Sequence, residues 1–328
     1  MKILVTGATG FVGGYILRYL RDNIPGAELI GTGRNRQKAD QLSAQGFNMI
    51  CGDISDPDFV KSSFKDISHV VHCAARASMW GKYDEFYRDN VLTTVSLMDN
   101  LPCLERFVFI STANVYFNAK DRLNVREDDP LPLKYLSFYP LTKLEAETEV
   151  LGRKNIHSIV LRPRGVIGPG DTTAFPRLMN AFKEKKIRMT GSGENVIDLT
   201  SVRNLAYASL LALNAGEQTR AQVYNITDGS THKFWSLLKD TAMKLGYNTD
   251  LPKINYWFLY GIARMAELAA KISNNGEPLI QRYGVSLLKT SFTLNIDKAI
   301  DQLAYSPVTS TEECIDDFLE WANISGQE

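Results

Sequence analysis

The stretch K-I-L-V-T-G-A-T-G-F-V-G, residues 2–13, decides the fold of this 328-residue chain. An apolar run over residues 2–6 leads directly into Gly7, Gly10 and Gly13, and helical spacing of apolar residues begins at Phe11. A helix that starts so close to a strand needs a tight turn, which glycine allows because it tolerates positive φ. The free N–H groups of the first helical turn and the helix dipole favour a phosphate. The stretch therefore predicts a dinucleotide-binding turn, with an ordinary glycine-rich turn as the alternative.

Five more short apolar runs alternate with helical patterns as far as residue 161. Near-continuous apolar strands separated by helices indicate a parallel sheet that is covered on both faces. Six strands are typical of a doubly wound nucleotide-binding fold, so we predict an α/β Rossmann fold. The runs lie at residues 28–31, 48–51, 69–73, 107–111 and 158–161, and the clearest helical patterns lie at 83–100 and 139–151.

The pattern changes after Pro169. Helical spacing at 174–185, 202–214 and 233–245 alternates with short extended pieces such as residues 222–226. We predict a dinucleotide-binding domain over residues 1–168 and a smaller, mostly helical, substrate-binding region over residues 169–328. Segments at about 196–226 are expected to return to the Rossmann core.

A strongly apolar stretch occupies residues 254–272. A membrane-spanning helix needs roughly 20 mostly uncharged apolar residues. Arg264 and Glu267 interrupt this run, and it stops at Lys271. We favour a buried or cavity-covering helix, with a helix that lies on a membrane surface as the alternative.

The bulk composition argues against several classes of protein. Thirty-seven basic residues balance 37 acidic ones, so no large positive field would attract nucleic acid. The four cysteines form no C-x-x-C pair and the four histidines lack metal-ligand spacing, so no metal site is predicted. The N-terminal apolar run is too short for a signal peptide. We expect reduced thiols and a cytoplasmic location.

The end of the second apolar run bears on the choice of cofactor. NAD enzymes usually place an acidic residue there for the ribose hydroxyls, whereas this chain has Gly33 followed by Arg34. A guanidinium pairs with a 2′-phosphate that a carboxylate would repel, so NADP(H) is favoured over NAD(H). The alternative is that Arg34 stacks on adenine. Asp53 is predicted either to accept a hydrogen bond from the adenine amine or to cap a turn.

The stretch S-F-Y-P-L-T-K, residues 137–143, places Tyr139 and Lys143 four residues apart. Proline is tolerated in the first turn of a helix but not deeper, so Pro140 puts Tyr139 near the helix entrance. Lys143 then lies one turn later on the same face. Thr112 closes the fifth strand, and ligands of an open α/β sheet lie beyond the carboxyl ends of its strands. These side chains are the parts of a carbonyl reductase, unless Tyr139 and Lys143 are only a surface pair.

Taken with further motifs, the chain resembles an extended short-chain dehydrogenase/reductase over nearly its whole length, and is most similar to the 3β-hydroxysteroid dehydrogenase group. Asn90 lies in the helix where that family carries a structural asparagine. The matching stretches are T-G-x-x-G-x-x-G at 6–13, H-C-A-A at 72–75, S-T-A-N-V-Y at 111–116, Y-x-x-x-K at 139–143 and L-R-P-R-G-V-I-G-P-G at 161–170.

The resemblance implies roles for these residues. Tyr139 would be the acid in reduction and the base in oxidation, and Lys143 would lower the phenol pKa and hold the nicotinamide ribose. Thr112 would bind the substrate oxygen, with Ser111 as the near alternative. A homodimer would form through the helices at 83–100 and 139–151. The predicted cofactor contacts are Gly7, Thr9, Gly10, Phe11, Val12, Gly13, Arg34, Asp53, Ile54, Ala74, Ala75, Tyr139, Lys143, Pro163 and Val166.

The predicted substrate is hydrophobic, because most candidate contacts are apolar or aromatic. Arg164 is the exception and is expected to meet a carboxylate or to form a structural ion pair. The full set is Met79, Trp80, Tyr83, Asn114, Tyr116 and Arg164.

We therefore predict an NAD(P)-dependent oxidoreductase acting on a hydroxyl or ketone of a sterol-like compound or a long-chain β-keto or β-hydroxy acid. Nucleotide-sugar epimerases of the superfamily usually carry N-V-Y-G-P where this chain has G-V-I-G-P at 165–169. An epimerase or dehydratase and a non-catalytic dinucleotide sensor remain the alternatives.

Overall fold

The structure is a computed structural model that describes residues 1–172, 174–273 and 276–324. Its strands are β1 Lys2–Thr6, β2 Glu28–Gly33, β3 Asn48–Cys51, β4 His69–His72, β5 Arg106–Ile110, β6 Arg122–Val125, β7 His157–Pro163, β8 Val166–Ile167, β9 Met189–Thr190, β10 Val196–Ile197, β11 Thr200–Ser201, β12 Gln222–Ile226, β13 His232–Lys233, β14 Lys253–Ile254 and β15 Phe292–Leu294. Its α-helices are α1 Phe11–Asn23, α2 Arg36–Ala44, α3 Pro57–Ser63, α4 Tyr83–Phe86, α5 Thr93–Asn100, α6 Phe138–Gly152, α7 Ala174–Lys183, α8 Val202–Asn214, α9 Phe234–Lys244, α10 Tyr256–Ser273, α11 Arg282–Lys289, α12 Asp297–Leu303 and α13 Thr311–Ile324.

The central sheet is parallel and has the strand order β3-β2-β1-β4-β5-β7-β12. The order reverses between β1 and β4, which is the switch point where doubly wound folds bind their ligands. The predicted Rossmann fold is confirmed, but the predicted count of six strands is one too low. The seventh strand, β12, resembles only a short extended piece in the sequence because a buried Asn225 interrupts its apolar residues.

Apolar side chains cover both faces of the sheet, as the strand pattern predicts. Alternate residues of β1 point to opposite faces, so Ile3 and Val5 join the core beneath α1 and α8. Leu4 joins the second core, beneath α3, α5 and α6. The strands are therefore fixed in register by burial on both sides.

The helical pattern at 83–100 forms α4 and α5 with a π-helical segment, Tyr87–Leu92, between them. Single-turn π-helical insertions are frequent at functional sites. Here the segment carries Asn90 and Asp89, both of which are buried.

The C-terminal helices α7, α9 and α13 enclose a third core that includes Trp235 and Phe318. Helix α10 lies outside that core. Of its residues only Ala263 and Glu267 are buried, so the prediction of a buried or cavity-covering helix is wrong. Apolar residues lie on most sides of α10, which is why its sequence resembles that of a buried helix. In the structure only a narrow strip of the helix packs on α11, and the other apolar side chains stay exposed. Among the described residues, no helix is long and apolar enough to cross a bilayer.

Candidate active site

A cavity of about 750 Å³ lies at the carboxyl ends of the central strands. The turns that follow β1, β2, β4, β5 and β7 all contribute to its lining, and the C-terminal region closes the opposite side. The volume lies within the range of about 300–1,000 Å³ that is typical of small-molecule sites. The cavity is therefore the place where the sequence motifs can meet a ligand.

The glycine turn lines one end of the cavity. Gly7 has a φ of +66°, a conformation that side chains rarely adopt. A Cβ added at Gly13 would lie 2.4 Å from the carbonyl oxygen of Gly7, so only glycine lets α1 approach the turn this closely. No side chain caps α1, and its first residues Phe11, Val12 and Gly13 line the cavity. This uncapped helix end is suited to a phosphate.

The end of β2 lies beside the glycine turn. A Cβ added at Gly33 would lie 2.3 Å from the Thr9 hydroxyl oxygen, which leaves no room for a carboxylate unless Thr9 moves. Arg34 is exposed and lines the cavity together with Asp53 and Ile54.

Asp53 caps a turn at the edge of the cavity. It lines the cavity, and its Oδ1 accepts hydrogen bonds from the backbone N–H and hydroxyl of Ser55, at 3.0 and 2.8 Å. Partial burial raises the pKa of the Asp53 carboxyl, but the Ser55 hydrogen bonds and the charge of Arg34 outweigh burial and leave it below its ordinary value. Asp53 is therefore a turn cap that presents a carboxylate to the cavity.

Two buried networks hold the loop after β4 against the cavity. The Thr6 hydroxyl accepts the backbone N–H groups of Cys73 and Ala74, each at 3.1 Å, and contacts His72 Nδ1 at 2.7 Å. Asn90 accepts the Arg76 backbone N–H at 2.7 Å and donates to the Thr142 hydroxyl at 3.0 Å. Asn90 thus ties the loop to α6, one residue before Lys143. Ala75 also lines the cavity, as do Pro163 and Val166 on the side of β7 and β8.

Thr112, Tyr139 and Lys143 come together at the cavity. Helix α6 begins at Phe138 because Ser137 caps it, accepting the Tyr139 backbone N–H at 3.3 Å. This start places Tyr139 in the first turn and Lys143 one turn deeper, where its Nζ lies 3.9 Å from the ring centroid of Phe109.

Burial dominates the protonation of this pair. Burial raises the pKa of the Tyr139 phenol to about 12, and interaction with the Thr112 hydroxyl opposes the rise. Burial lowers the pKa of Lys143 to about 7, against the raising effect of Glu147 and Cys73. The expectation that Lys143 brings the phenol below its ordinary pKa is therefore not met by the protein groups alone. At neutral pH the phenol is an acid that holds its proton.

Ser111 lines the cavity, but its hydroxyl is engaged elsewhere. It donates to Glu147, and Glu147 accepts from Arg162 Nε at 3.0 and 3.2 Å. Glu147 and Arg162 are both buried. Because the Thr112 hydroxyl has no such carboxylate partner among the described residues and faces Tyr139, the geometry favours Thr112 over Ser111 for contact with a substrate oxygen.

Two of the six predicted substrate residues, Met79 and Asn114, are among the described residues that line the cavity, and Asn114 Oδ1 is buried without a hydrogen-bond partner there. Tyr116 instead lies in a separate core, where its hydroxyl donates to Asn225 at 3.0 Å and accepts from Arg162. Tyr116 is therefore a structural residue.

Three further predicted substrate residues, Trp80, Tyr83 and Arg164, also lie outside the described lining. Tyr83 begins α4, packs on Phe138 and donates to Glu145 at 3.0 Å. Both partners lie on α6, so Tyr83 belongs to the contact between α4 and α6. Trp80 follows Ser78 in a short hydrogen-bonded turn.

Arg164 is buried behind the cavity lining, with its guanidinium carbon 4.8 Å from the Phe292 ring centroid. Its Nε is buried without a hydrogen-bond partner among the described residues. Burial lowers its pKa, and Asp198 and Tyr283 oppose that shift. In the described chain no carboxylate lies within 4 Å of Arg164, so the predicted structural ion pair is not formed, and the predicted contact with a substrate carboxylate stays a prediction.

Sequence reasoning missed the residues that the C-terminal region contributes. Tyr283 of α11 lines the cavity, and its hydroxyl is buried without a hydrogen-bond partner among the described residues. Helical spacing could have indicated the apolar faces of α7 and α9, but not which of those faces meets the cavity. The remaining apolar contributors are Phe175, Leu178, Ile197, Leu199, Phe234, Leu237 and Leu238.

Comparison with known proteins agrees with this geometry. The 2-alkyl-3-oxoalkanoate reductase of Stenotrophomonas maltophilia (strain K279a) is 29% identical over 323 residues, which cover 95% of this chain and 97% of that protein. The decarboxylating sterol-4-alpha-carboxylate 3-dehydrogenase of Mus musculus is 27% identical over 331 residues, covering 96% and 89%.

Solved structures show the same fold. MoeE5 in complex with UDP-glucose and NAD has a TM-score of 0.76 at 26% identity, with 99% of each chain covered. The UDP-glucuronic acid 4-epimerase from Bacillus cereus in complex with NAD has a TM-score of 0.74 at 24% identity, again with 99% of each chain covered. The sequence profile of the NAD dependent epimerase/dehydratase family matches residues 3–227. This chain therefore belongs to the NAD-dependent epimerase/dehydratase family.

Proposed function

We propose that the protein is an NAD(P)-dependent oxidoreductase that interconverts a hydroxyl and a ketone on a hydrophobic substrate. The observation that carries the proposal is the meeting of Thr112, Tyr139 and Lys143 in a cavity whose opposite side is apolar. The similar proteins named as a reductase and a dehydrogenase cover nearly the whole chain and support the same reaction class.

The residues at the glycine turn fit a dinucleotide. Gly7, Gly10 and the first turn of α1 would hold the diphosphate, and Lys143 would hold the nicotinamide ribose. The cofactor, when bound, supplies or accepts the hydride. Two features support NADP(H) over NAD(H). An acidic side chain at position 33 would clash with Thr9, and the exposed guanidinium of Arg34 can pair with a 2′-phosphate.

Tyr139 acts as the general acid in the reductive direction. With a pKa of about 12, its phenol is protonated at neutral pH and can give its proton to the carbonyl oxygen. The Thr112 hydroxyl donates a hydrogen bond to the same oxygen and stabilises the charge that develops there. In oxidation Tyr139 takes the proton back, and a cationic Lys143 would favour the phenolate.

The lining of the cavity supports a substrate with a large apolar part and a polar group. Phe175, Leu178 and Leu238 offer apolar surface, whereas Asn114 Oδ1 and the Tyr283 hydroxyl are buried polar atoms without partners in the described chain. Buried polar groups that lack a hydrogen bond are costly, so they are expected to meet ligand groups.

The charge of Arg164 bears on the nature of that polar group. Arg164 lies close enough to Tyr283 to lower the pKa of its hydroxyl, although burial raises it overall. We infer that Arg164 strengthens Tyr283 as a donor and favours an anionic group, as in a β-keto or β-hydroxy acid. Both similar proteins named above are described by carboxylate-bearing substrates.

The test uses the purified protein with three classes of compound. Cofactor oxidation is followed with long-chain 2-alkyl-3-oxo acids and with 3-oxosteroids, and product analysis is used for a UDP-sugar, because epimerisation regenerates the cofactor. Turnover of either apolar class that Tyr139→Phe abolishes would support the proposal. Conversion of the UDP-sugar alone would favour an epimerase. The similarity to MoeE5, whose structure contains UDP-glucose and NAD, is the observation that keeps this second candidate. Cofactor binding without turnover of any compound would favour a sensor.

We also propose that the protein is a cytoplasmic homodimer formed through α6 and the 83–100 helical segment. Leu92 and Phe138 are large apolar side chains that stay exposed on these elements. All four cysteines are free in the structure, which agrees with a reducing compartment. Light scattering of the wild type and of Leu92→Glu would test the dimer.

A further inference from the structure

Helix α10 exposes a continuous apolar face. Successive helical residues are about 100° apart, so residues on opposite sides of α10 can be told from their spacing. Ala263 and Glu267 face the protein. On the opposite side, Trp257 is 70% exposed, Met265 65% and Ile272 78%. The apolar α10 face consists of Trp257, Phe258, Ile262, Met265, Leu268 and Ile272, all of them exposed.

The charges of α10 are distributed unequally around this face. The spacing places Arg264 and Lys271 two turns apart on the same edge of the helix, and both are exposed. Within α10, every residue of which the structure describes, Glu267 is the only acidic residue. It is buried and accepts from the Arg282 backbone N–H at 2.7 Å and from Arg282 Nε at 2.6 Å. An approaching surface therefore meets apolar side chains and cations, but no carboxylate of this helix.

The position of α10 is fixed by the rest of the molecule. Its buried strip packs on α11, which also contributes Tyr283 to the cavity. Lys289 of α11 holds its ammonium 4.4 Å from the Tyr256 ring centroid, next to the start of the apolar face. The exposed side chains are thus presented by an anchored helix, and a third cation stands near them.

We propose that α10 binds the surface of an anionic lipid bilayer and lies in its plane. An amphipathic helix of about 27 Å with aromatic residues on one side and basic residues at the edge has the chemistry of an interfacial helix. The cations would meet anionic headgroups while the apolar α10 face enters the acyl boundary. A second copy of the chain is a poorer partner, because symmetric pairing of this face offers Arg264 and Lys271 no carboxylate from α10.

The inference goes beyond the proposed oxidoreductase and does not depend on it. It takes up the membrane-surface alternative that the sequence left open, in place of the favoured buried or cavity-covering helix. The expectation of a buried helix failed because, among the described elements, α10 packs mainly on α11, so most of its apolar surface is left uncovered. Large exposed apolar patches mark sites of interaction.

The experiment is co-sedimentation of the full-length protein with vesicles of phosphatidylcholine, with and without phosphatidylserine. Wild type is expected to sediment with the anionic vesicles and to be released by salt. Met265→Glu should lower partitioning about tenfold or more, because it puts a carboxylate in the centre of the face. Arg264→Gln/Lys271→Gln should weaken binding to the anionic vesicles roughly thirtyfold.

Met243→Glu is the matched control, because Met243 is 61% exposed on α9 and lies outside the apolar α10 face. It should bind as wild type does, and all variants should keep their thermal midpoint and cofactor affinity. Absence of wild-type binding, or equal binding to neutral vesicles, would overturn the proposal. A lipid-free dimer that Met265→Glu dissociates would overturn it too, since the occupant would then be a second copy.

Discussion

The buried pair of Glu147 and Arg162 gives the sharpest prediction. Glu147→Gln keeps the volume of the side chain but removes the charge that balances Arg162, whose Nε lies 3.0 Å from it. Loss of one partner of a buried ion pair typically costs about 3–5 kcal/mol. Because glutamine retains an acceptor oxygen, we take the lower end, about 3 kcal/mol. At an unfolding entropy of about 2.1 cal/mol/K per residue over 328 residues, that corresponds to a fall in the thermal midpoint of roughly 4 °C.

The assay is thermal unfolding followed by circular dichroism at neutral pH, with two comparison variants. Glu217→Gln removes an exposed carboxylate 2.6 Å from Arg220, and little change is expected there because solvent screens the pair. Glu147→Leu/Arg162→Met removes both buried charges and should recover at least half of the lost midpoint. An unchanged midpoint in Glu147→Gln, or a double variant worse than the single one, would refute the reasoning.

Three other outcomes follow from the site. Tyr139→Phe should bind cofactor normally and lose at least about a hundredfold in kcat; retained turnover would remove Tyr139 from the mechanism. Arg34→Ala should raise the KM for NADP(H) about tenfold with little effect on NAD(H), and equal wild-type constants for both cofactors would contradict the preference. Lys143 has a folded pKa of about 7, below its value in the unfolded chain. The folded state therefore binds fewer protons, and stability should rise with pH from about 7 upward; a Lys143→Met variant should lose that slope in pH-dependent unfolding.

Several features of the site were predictable because they depend on local sequence. Gly7 and Gly13 occupy positions where a side chain would clash with the backbone, and Pro140 fixes the start of α6, so the glycine turn and the Tyr139–Lys143 face could be inferred from spacing. The absence of an acidic residue at the end of β2, where Gly33 stands, could also be inferred from the sequence. Gly13 packs on Gly7 and Pro140 lies in the first turn of α6, so these two features involve residues that are close in the chain, whereas Gly7 meets Ala74 and Gly33 meets Thr9.

The errors share a different origin. Tyr116 and Tyr83 are aromatic residues next to motif positions, but Tyr116 turns toward Asn225 and Tyr83 toward Glu145, partners that are 109 and 62 residues away. Arg164 lies between two residues that line the cavity, yet its own side chain points behind the lining. Side-chain direction at such positions is set by packing against distant elements.

The sequence by itself determined the doubly wound sheet, the dinucleotide turn and the tyrosine–lysine pair, because local spacing, backbone sterics and burial on both sheet faces leave few alternatives. Tertiary structure alone decided that Tyr283 reaches the cavity and that α10 stays exposed. Those outcomes depend on which apolar surfaces pack against each other. The hydrophobic pattern of one segment does not tell where a distant segment will lie.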